Sequence, residues 1–187
     1  MAEITSRTCV YDGWYRFYRI GVRLDTGVEV ERHLLDNGSA VMVLPYDPDR
    51  RVVLLITQPR AGVLAAGETP IFEAIAGMLD GAHPVDRARE EAMEEGGLRL
   101  GDLDHVATVW SLPPVSTERT ALYLARYGAQ DRVGPGGGAD GEHEAISVYE
   151  IPLDDLRGMV EGGTLTDAKT LILAQALMLR HQGLWNA

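Results

Sequence analysis

The sequence predicts an α/β or α+β sandwich in which a mixed central sheet carries two or three helices, and three observations lead there. Strand-sized runs of β-branched, aliphatic and aromatic residues recur between glycine, proline and aspartate turns. Residues 84–97 and 167–181 instead place their apolar residues at helical spacing. The 187 residues are 45% apolar, enough for one well-buried core and short for two.

Taken in order, residues 14–24 read as an extended segment, and the Asp25-Thr26-Gly27 turn joins it to residues 28–35, forming a hairpin. After Asp36-Asn37-Gly38 come two further strands, 40–45 and 51–57. The run Val52-Val53-Leu54-Leu55-Ile56 is apolar without alternation, as a strand buried on both faces requires. A short strand at 71–76 delivers the chain into Gly77 and the first long helix. Residues 106–111 and 120–127 alternate as two strands joined by LPPVSTER. Residues 133–144, VGPGGGADGEHE, are expected to form a mobile surface loop. A strand at 146–151, a proline-opened helix at 152–161 and a closing helix with Leu171, Leu173, Ala174 and Leu177 inward complete the chain.

The first long helix opens at Pro84, stops at Gly96-Gly97 and turns Val85, Ala88, Ala92 and Gly96 inward. Four glutamates crowd its last turns. At about 100° per residue, Glu91, Glu94 and Glu95 share one sector, with Glu90 beside them. Like charges at i, i+4 cost an isolated helix roughly 0.2–0.5 kcal/mol per pair, and carboxylates near the C-terminus oppose the helix dipole. Within the helix, which stops at Gly96-Gly97, no basic residue follows Glu91, Glu94 or Glu95 by three or four positions, while Arg87 precedes Glu91 by one turn. Such a face is either a solvated acidic surface or a seat for a hard divalent cation, which takes carboxylate oxygens and leaves room for phosphates.

A net charge of −11 argues against a nucleic-acid partner, and no apolar run is long enough to span a membrane. The lone Cys9 forms no internal disulfide, and MAEITSRT lacks the apolar stretch of a secretory signal, so the expected location is cytoplasmic. The five histidines show no zinc-ligand spacing.

Residues 77–98, GMLDGAHPVDRAREEAMEEGGL, resemble the Nudix box, whose pattern is Gly, five residues, Glu, seven residues, then Arg-Glu-apolar-any-Glu-Glu-any-Gly-apolar. The segment Glu91–Leu98 matches at each constrained position. In front of it the loop is one residue short, His83 stands where the pattern has Glu, and Glu90 stands where it has Arg. That arginine supports the metal-binding glutamates in the family, so the role here would have to pass to Arg87 or Arg89. The likeness extends over nearly the whole chain and is greatest to the ADP-ribose and GDP-mannose pyrophosphatase branch. Pro113 follows Gly97 by sixteen residues within SLPPVSTER, and Thr57-Gln58-Pro59-Arg60 resembles that branch's Arg-Gln-Phe-Arg strand end. Leu79-Asp80 with Pro84, the Gly136-Gly137-Gly138 run and Asp167-Ala168-Lys169-Thr170 are similar to the GDP-mannose enzyme in particular.

The resemblance implies the three-layer α/β/α Nudix fold for residues 37–187, with residues 1–36 as an N-terminal β extension that forms a homodimer. It makes Glu91, Glu95, Glu144 and the carbonyl of Ala76 the ligands of Mg²⁺, with Mn²⁺ as a substitute, and places Glu94 among the catalytic carboxylates. Glu144 or Glu118 would orient the attacking water. Arg60 and Lys169 match cationic diphosphate or sugar contacts, His143 a residue lining the site, and Trp14 a base-stacking aromatic serving its own or the partner's site. Ser116, Thr117 and Arg119 are candidates either for phosphate contacts or for holding their loop. The implied reaction is Mg²⁺-dependent hydrolysis of a nucleoside diphosphate sugar, of ADP-ribose or GDP-mannose type, to a nucleoside monophosphate and a sugar phosphate. The competing reading is a catalytically weak or inactive Nudix protein that binds a nucleotide or a protein partner.

Overall fold

The computed structural model describes residues 1–138 and 145–185. Two sheets are present. Strands β1 (Glu3–Asp12), β2 (Arg16–Arg23) and β3 (Glu29–Asp36) form an antiparallel three-stranded sheet in that order. The expected hairpin is therefore β2–β3, with a further strand ahead of it. Every residue of β1 is exposed, so it has no buried face to impose the alternation by which strands are recognised. Trp14 lies in the β1–β2 connection, not at a strand start.

The main sheet runs β7 (Leu103–Trp110), β8 (Arg119–Arg126), β4 (Ala40–Asp47), β5 (Val52–Thr57), β9 (Ser147–Pro152), with β6 (Ile75–Met78) paired to the first half of β4. It is mixed, because β4 and β8 are parallel while the other pairs are antiparallel. Strands β4 and β5 pair only at Tyr46–Val53 and Asp47–Val52, then diverge, and β6 occupies the opening between them. Glu73, just ahead of β6, bridges to Ile56 of β5.

Alternate residues of the central strands serve two cores. Val41, Val43, Leu54 and Ile56 pack toward Ala88 and Ala92 of α2 (Pro84–Glu94) on one face. Met42, Leu44, Val53 and Leu55 pack toward α3 (Leu153–Glu161) and α4 (Ala168–Arg180) on the other. The result is the expected three-layer α/β/α sandwich. A one-turn helix, α1 (Ala61–Ala65), follows Arg60; five residues with no buried face leave no periodic signal. No helix among the described residues is long and apolar enough to cross a membrane.

Candidate active site

The segment Glu73–Met78, wedged between β4 and β5, is the spine against which Arg60, Glu91 and Glu95 of the expected site residues lie. The carboxylate of Glu73 receives a bidentate pair from Arg60 (2.7–3.1 Å). The Ala74 N–H donates to the Thr170 hydroxyl (2.8 Å) and the Ala76 N–H to Glu95 Oε2 (3.1 Å). Gly77 lies against Glu91, and the Met78 carbonyl accepts from Arg87 Nε (3.1 Å). Ile75 is buried toward α2. One short strand therefore sets the relative positions of groups drawn from α2, α4 and the β5 end.

Glu91 and Glu95 stand one turn apart on the sheet-facing side of α2, only 6% and 1% exposed. Carboxylates so buried need hydrogen-bonded or charged partners. For Glu95 the spine's backbone N–H is one such partner. Glu91 approaches the spine so closely that a Cβ on Gly77 would lie 1.5 Å from Glu91 Oε1. This explains the glycine: the carboxylate occupies the volume of a side chain. Glu94 is half-buried and Glu90 exposed.

Arg87 supplies the positive charge that is missing at position 90. Its guanidinium lies 2.5 Å from Glu91, 3.3 Å from Glu90 and 3.8 Å from Glu94. Burial works against its charge, but Glu91, Glu90 and Glu94 outweigh that, so its pKa is raised above the ordinary arginine value. Arg89 turns away, to the Gly101 carbonyl and Asp86. Three carboxylates thus share one guanidinium, and the buried pair Glu91 and Glu95 is pressed against strand backbone. Hard oxygen donors of this kind suit a divalent cation, which Glu91 and Glu95 could hold. Among the described residues no group of three or more His, Cys, Asp or Glu converges as a metal cluster.

The described half of the glycine-rich segment, residues 133–138, is an irregular surface stretch that bonds to the end of α2. Gly137 N–H donates to Glu95 O (2.8 Å) and Gly138 N–H to Glu94 O (3.0 Å), while Val133 and Gly134 bond to Gly97 O. These donors satisfy carbonyls that a helix end leaves open. Side chains are excluded there, since a Cβ on Gly136 would lie 2.1 Å from Glu95 O and one on Gly97 2.2 Å from Gly134 O. Residues 133–138 thus form a surface loop whose backbone caps the acidic end of α2. Glu144 and His143 lie outside the described residues.

Around this centre, Arg60 is anchored on buried Glu73, with its side chain 42% exposed. Lys169 pairs with Asp167 (3.2 Å), whose other oxygen caps α4 through the Thr170 N–H (2.8 Å) and hydroxyl (2.7 Å). The Asp-Ala-Lys-Thr run is therefore a helix cap that also ties α4 to the spine. Trp14 is 90% exposed, which removes a core role within this chain. In LPPVSTER, Thr117 Oγ1 donates to Asp36 (3.1 Å) and Ser116 Oγ to Asn37 (2.7 Å), so both hold the loop to the end of β3. Arg119 lies over the Trp110 ring, and Glu118 accepts from Asn37 Nδ2 (2.7 Å) and Thr120 Oγ1 (3.2 Å).

Sequence reasoning missed Glu73 and Asn37. Glu73 carried one signal, a lone acid entering an otherwise apolar strand; Asn37 carried none, because turns commonly hold Asn for local reasons. A cavity of about 550 Å³ lined by Asp47, Arg50, Arg126 and Tyr127 lies at the opposite end of β4. There Arg50 is held between Asp47 and Glu150, a structural network remote from the spine.

No family model matches the chain. It is 35% identical to the ADP-ribose pyrophosphatase of Escherichia coli K12 over 98% of its length and 91% of the relative's. It is 36% identical to the GDP-mannose pyrophosphatase of Cronobacter sakazakii over 82% of its length and 80% of the relative's. A solved structure described as an ADP compounds hydrolase superposes with a TM-score of 0.76 at 18% identity, over 97% of this chain and 96% of that one, a likeness of fold. With these relatives and a glycine-framed carboxylate helix on a three-layer sandwich, the chain belongs to the ADP-ribose and GDP-mannose pyrophosphatase branch of the Nudix hydrolases.

Proposed function

We infer that the chain hydrolyses the pyrophosphate bond of nucleoside diphosphate sugars, of ADP-ribose or GDP-mannose type, to a nucleoside monophosphate and a sugar phosphate in a Mg²⁺-dependent reaction. The observation that carries this reading is the buried Glu91–Glu95 pair pressed on the Ala76–Gly77 backbone. Mg²⁺, or Mn²⁺ in its place, would be held by Glu91 and Glu95, with the Ala76 carbonyl and Glu144 completing the set. When bound, the cation neutralises the diphosphate and makes a water more acidic.

The protein's own groups position and move charge. Arg87 keeps Glu91 aimed and balances its charge. Arg60 and Lys169 flank the spine from the β5 end and from α4, where the departing phosphate needs compensating charge, and each is oriented by its carboxylate, Glu73 or Asp167. Water attacks phosphorus, the P–O anhydride bond breaks, and a carboxylate takes the water's proton. Glu144 and Glu118 are the two candidates for that acceptor. His143 and an exposed aromatic, Trp14, belong to substrate recognition.

The chain acts as a homodimer through its N-terminal sheet. Ile4, Val10, Tyr11 and Trp14 are all more than half exposed on a three-stranded sheet with only Ile20 buried, and so small a sheet gains stability when another surface covers it. The test is a panel of ADP-ribose, GDP-mannose, ADP-glucose, UDP-glucose, dinucleoside polyphosphates and dNTPs at one Mg²⁺ concentration. A nucleotide sugar should give the highest kcat/KM. A tenfold lead for a triphosphate or dinucleoside polyphosphate, about 1.4 kcal/mol in transition-state binding, would overturn the substrate class, and no turnover at all would favour a binding protein.

A further inference from the structure

We propose that Asn37, in the turn between the N-terminal sheet and the catalytic sandwich, is a positioning residue that fixes the carboxylate of Glu118 for the reaction. This rests on the reading of Glu118 as a carboxylate of the active site.

Three hydrogen bonds close a ring, and their directions determine one another. The Glu118 N–H donates to Ser116 Oγ (3.0 Å), so the Ser116 hydroxyl proton is left for Asn37 Oδ1 (2.7 Å). That contact fixes which end of the amide is oxygen, and the NH₂ group therefore faces Glu118 Oε2 (2.7 Å). Thr120 Oγ1 donates to the other oxygen (3.2 Å) and is itself 2.9 Å from Ser111 Oγ. Both oxygens of one half-buried carboxylate are thus held by directed, neutral donors.

Asp47, Glu73, Glu91 and Glu150 are buried or half-buried, and each takes an arginine. Among the described residues no cation pairs with Glu118, although Arg119 is its neighbour; that guanidinium lies over Trp110 instead.

The ring is also anchored and correctly placed. Leu35 N–H donates to Val115 O (2.6 Å) and Thr117 N–H to Leu35 O (3.1 Å), stitching the loop to β3. Asp36 adds Arg7 from β1 (2.8 Å) and Thr117 (3.1 Å). Thr120 lies level with Ala40, and Ala40 level with Met78, so the ring sits at the same sheet end as the spine, one strand away. Asn37 thereby links the exposed N-terminal sheet to a carboxylate beside the reaction.

A double-mutant cycle on the full-length protein tests this, using the best nucleotide sugar of the panel with saturating Mg²⁺. Asn37→Ala should lower kcat about tenfold or more with KM changed less than threefold, since a misplaced proton acceptor affects the transition state and not ground-state binding. In a Glu118→Ala background the same substitution should cost less than twofold. Ser116→Ala, which breaks the ring from its other side, should reproduce the pattern and serves if Asn37→Ala fails to fold. Equal losses from Asn37→Ala with and without Glu118 would overturn the proposal and leave the hydrolase reading intact. Full activity in Glu118→Ala would overturn it by removing Glu118 from the reaction, and no turnover by the unmodified protein would overturn both.

Discussion

Arg87→Met isolates the one positive charge on the acidic face. Methionine keeps most of the aliphatic volume but deletes the ion pairs to Glu91, Glu90 and Glu94 and the bond to the Met78 carbonyl. Removing one partner of a buried pair costs about 3–5 kcal/mol when the pair is fully enclosed. The Arg87 side chain is 24% exposed, so solvent relieves part of the penalty and about 2–3 kcal/mol is expected without metal. For a domain of this size each kcal/mol moves Tm by roughly 2–4 °C, giving a fall of about 5–10 °C in EDTA. Saturating Mg²⁺ should recover much of it, because a bound cation takes over the lost positive charge; the Mg²⁺-induced rise in Tm should therefore exceed that of the unmodified protein. Adding Glu90→Arg to Arg87→Met restores the sign of the Nudix pattern and should recover kcat/KM. An Arg87→Met protein within about 1 °C of the parent in EDTA would refute the charge argument.

Gly77→Ala forces a methyl into the space of the Glu91 carboxylate and should reduce kcat/KM by about a hundredfold or more through loss of Mg²⁺ affinity, read by titration; normal Mg²⁺ binding would contradict it. Deleting the residues before Asp36 should give monomers or aggregates in light scattering, and a soluble, dimeric, fully active truncation would contradict dimerisation through that sheet. Arg50 hydrogen bonds hold the pKa of Glu150 below the usual carboxylate value, and although burial alone would raise Asp47, its bonds from Arg50 and the Asp49 N–H lower it too. Groups with depressed folded-state pKa values stabilise above their unfolded values, about pH 4, and lose that contribution as pH falls through the folded ones. The unmodified protein should therefore be more stable than Arg50→Met above pH 5, with the gap closing toward pH 3 in thermal melts; a gap independent of pH would exclude the linkage.

The layer order and the acidic helix were legible because each reports on burial. Pro84 and Gly97 bracket α2, and Ala88 and Ala92 face the sheet as their spacing predicts. The i, i+4 spacing of Arg87 and Glu91 likewise made their pairing readable. What remained illegible depends on contacts between distant segments. Glu73 meets Arg60 only after the β5 end has bridged the segment ahead of β6, and Asn37 meets Glu118 across 81 positions. The cap that residues 133–138 place on α2 uses backbone N–H groups alone, so no side-chain pattern announces it. β1 was missed because no position in it is buried.

The central claim is that the Glu91–Glu95 pair serves chemistry at a metal and not folding, and Glu95→Gln tests it most directly. The amide keeps the size of the side chain and an acceptor for the Ala76 N–H but removes a charge from a crowded anionic face. Turnover of ADP-ribose and GDP-mannose should fall at least about a hundredfold at saturating Mg²⁺, while Tm in EDTA stays level or rises. Near-normal turnover at saturating metal would contradict the account.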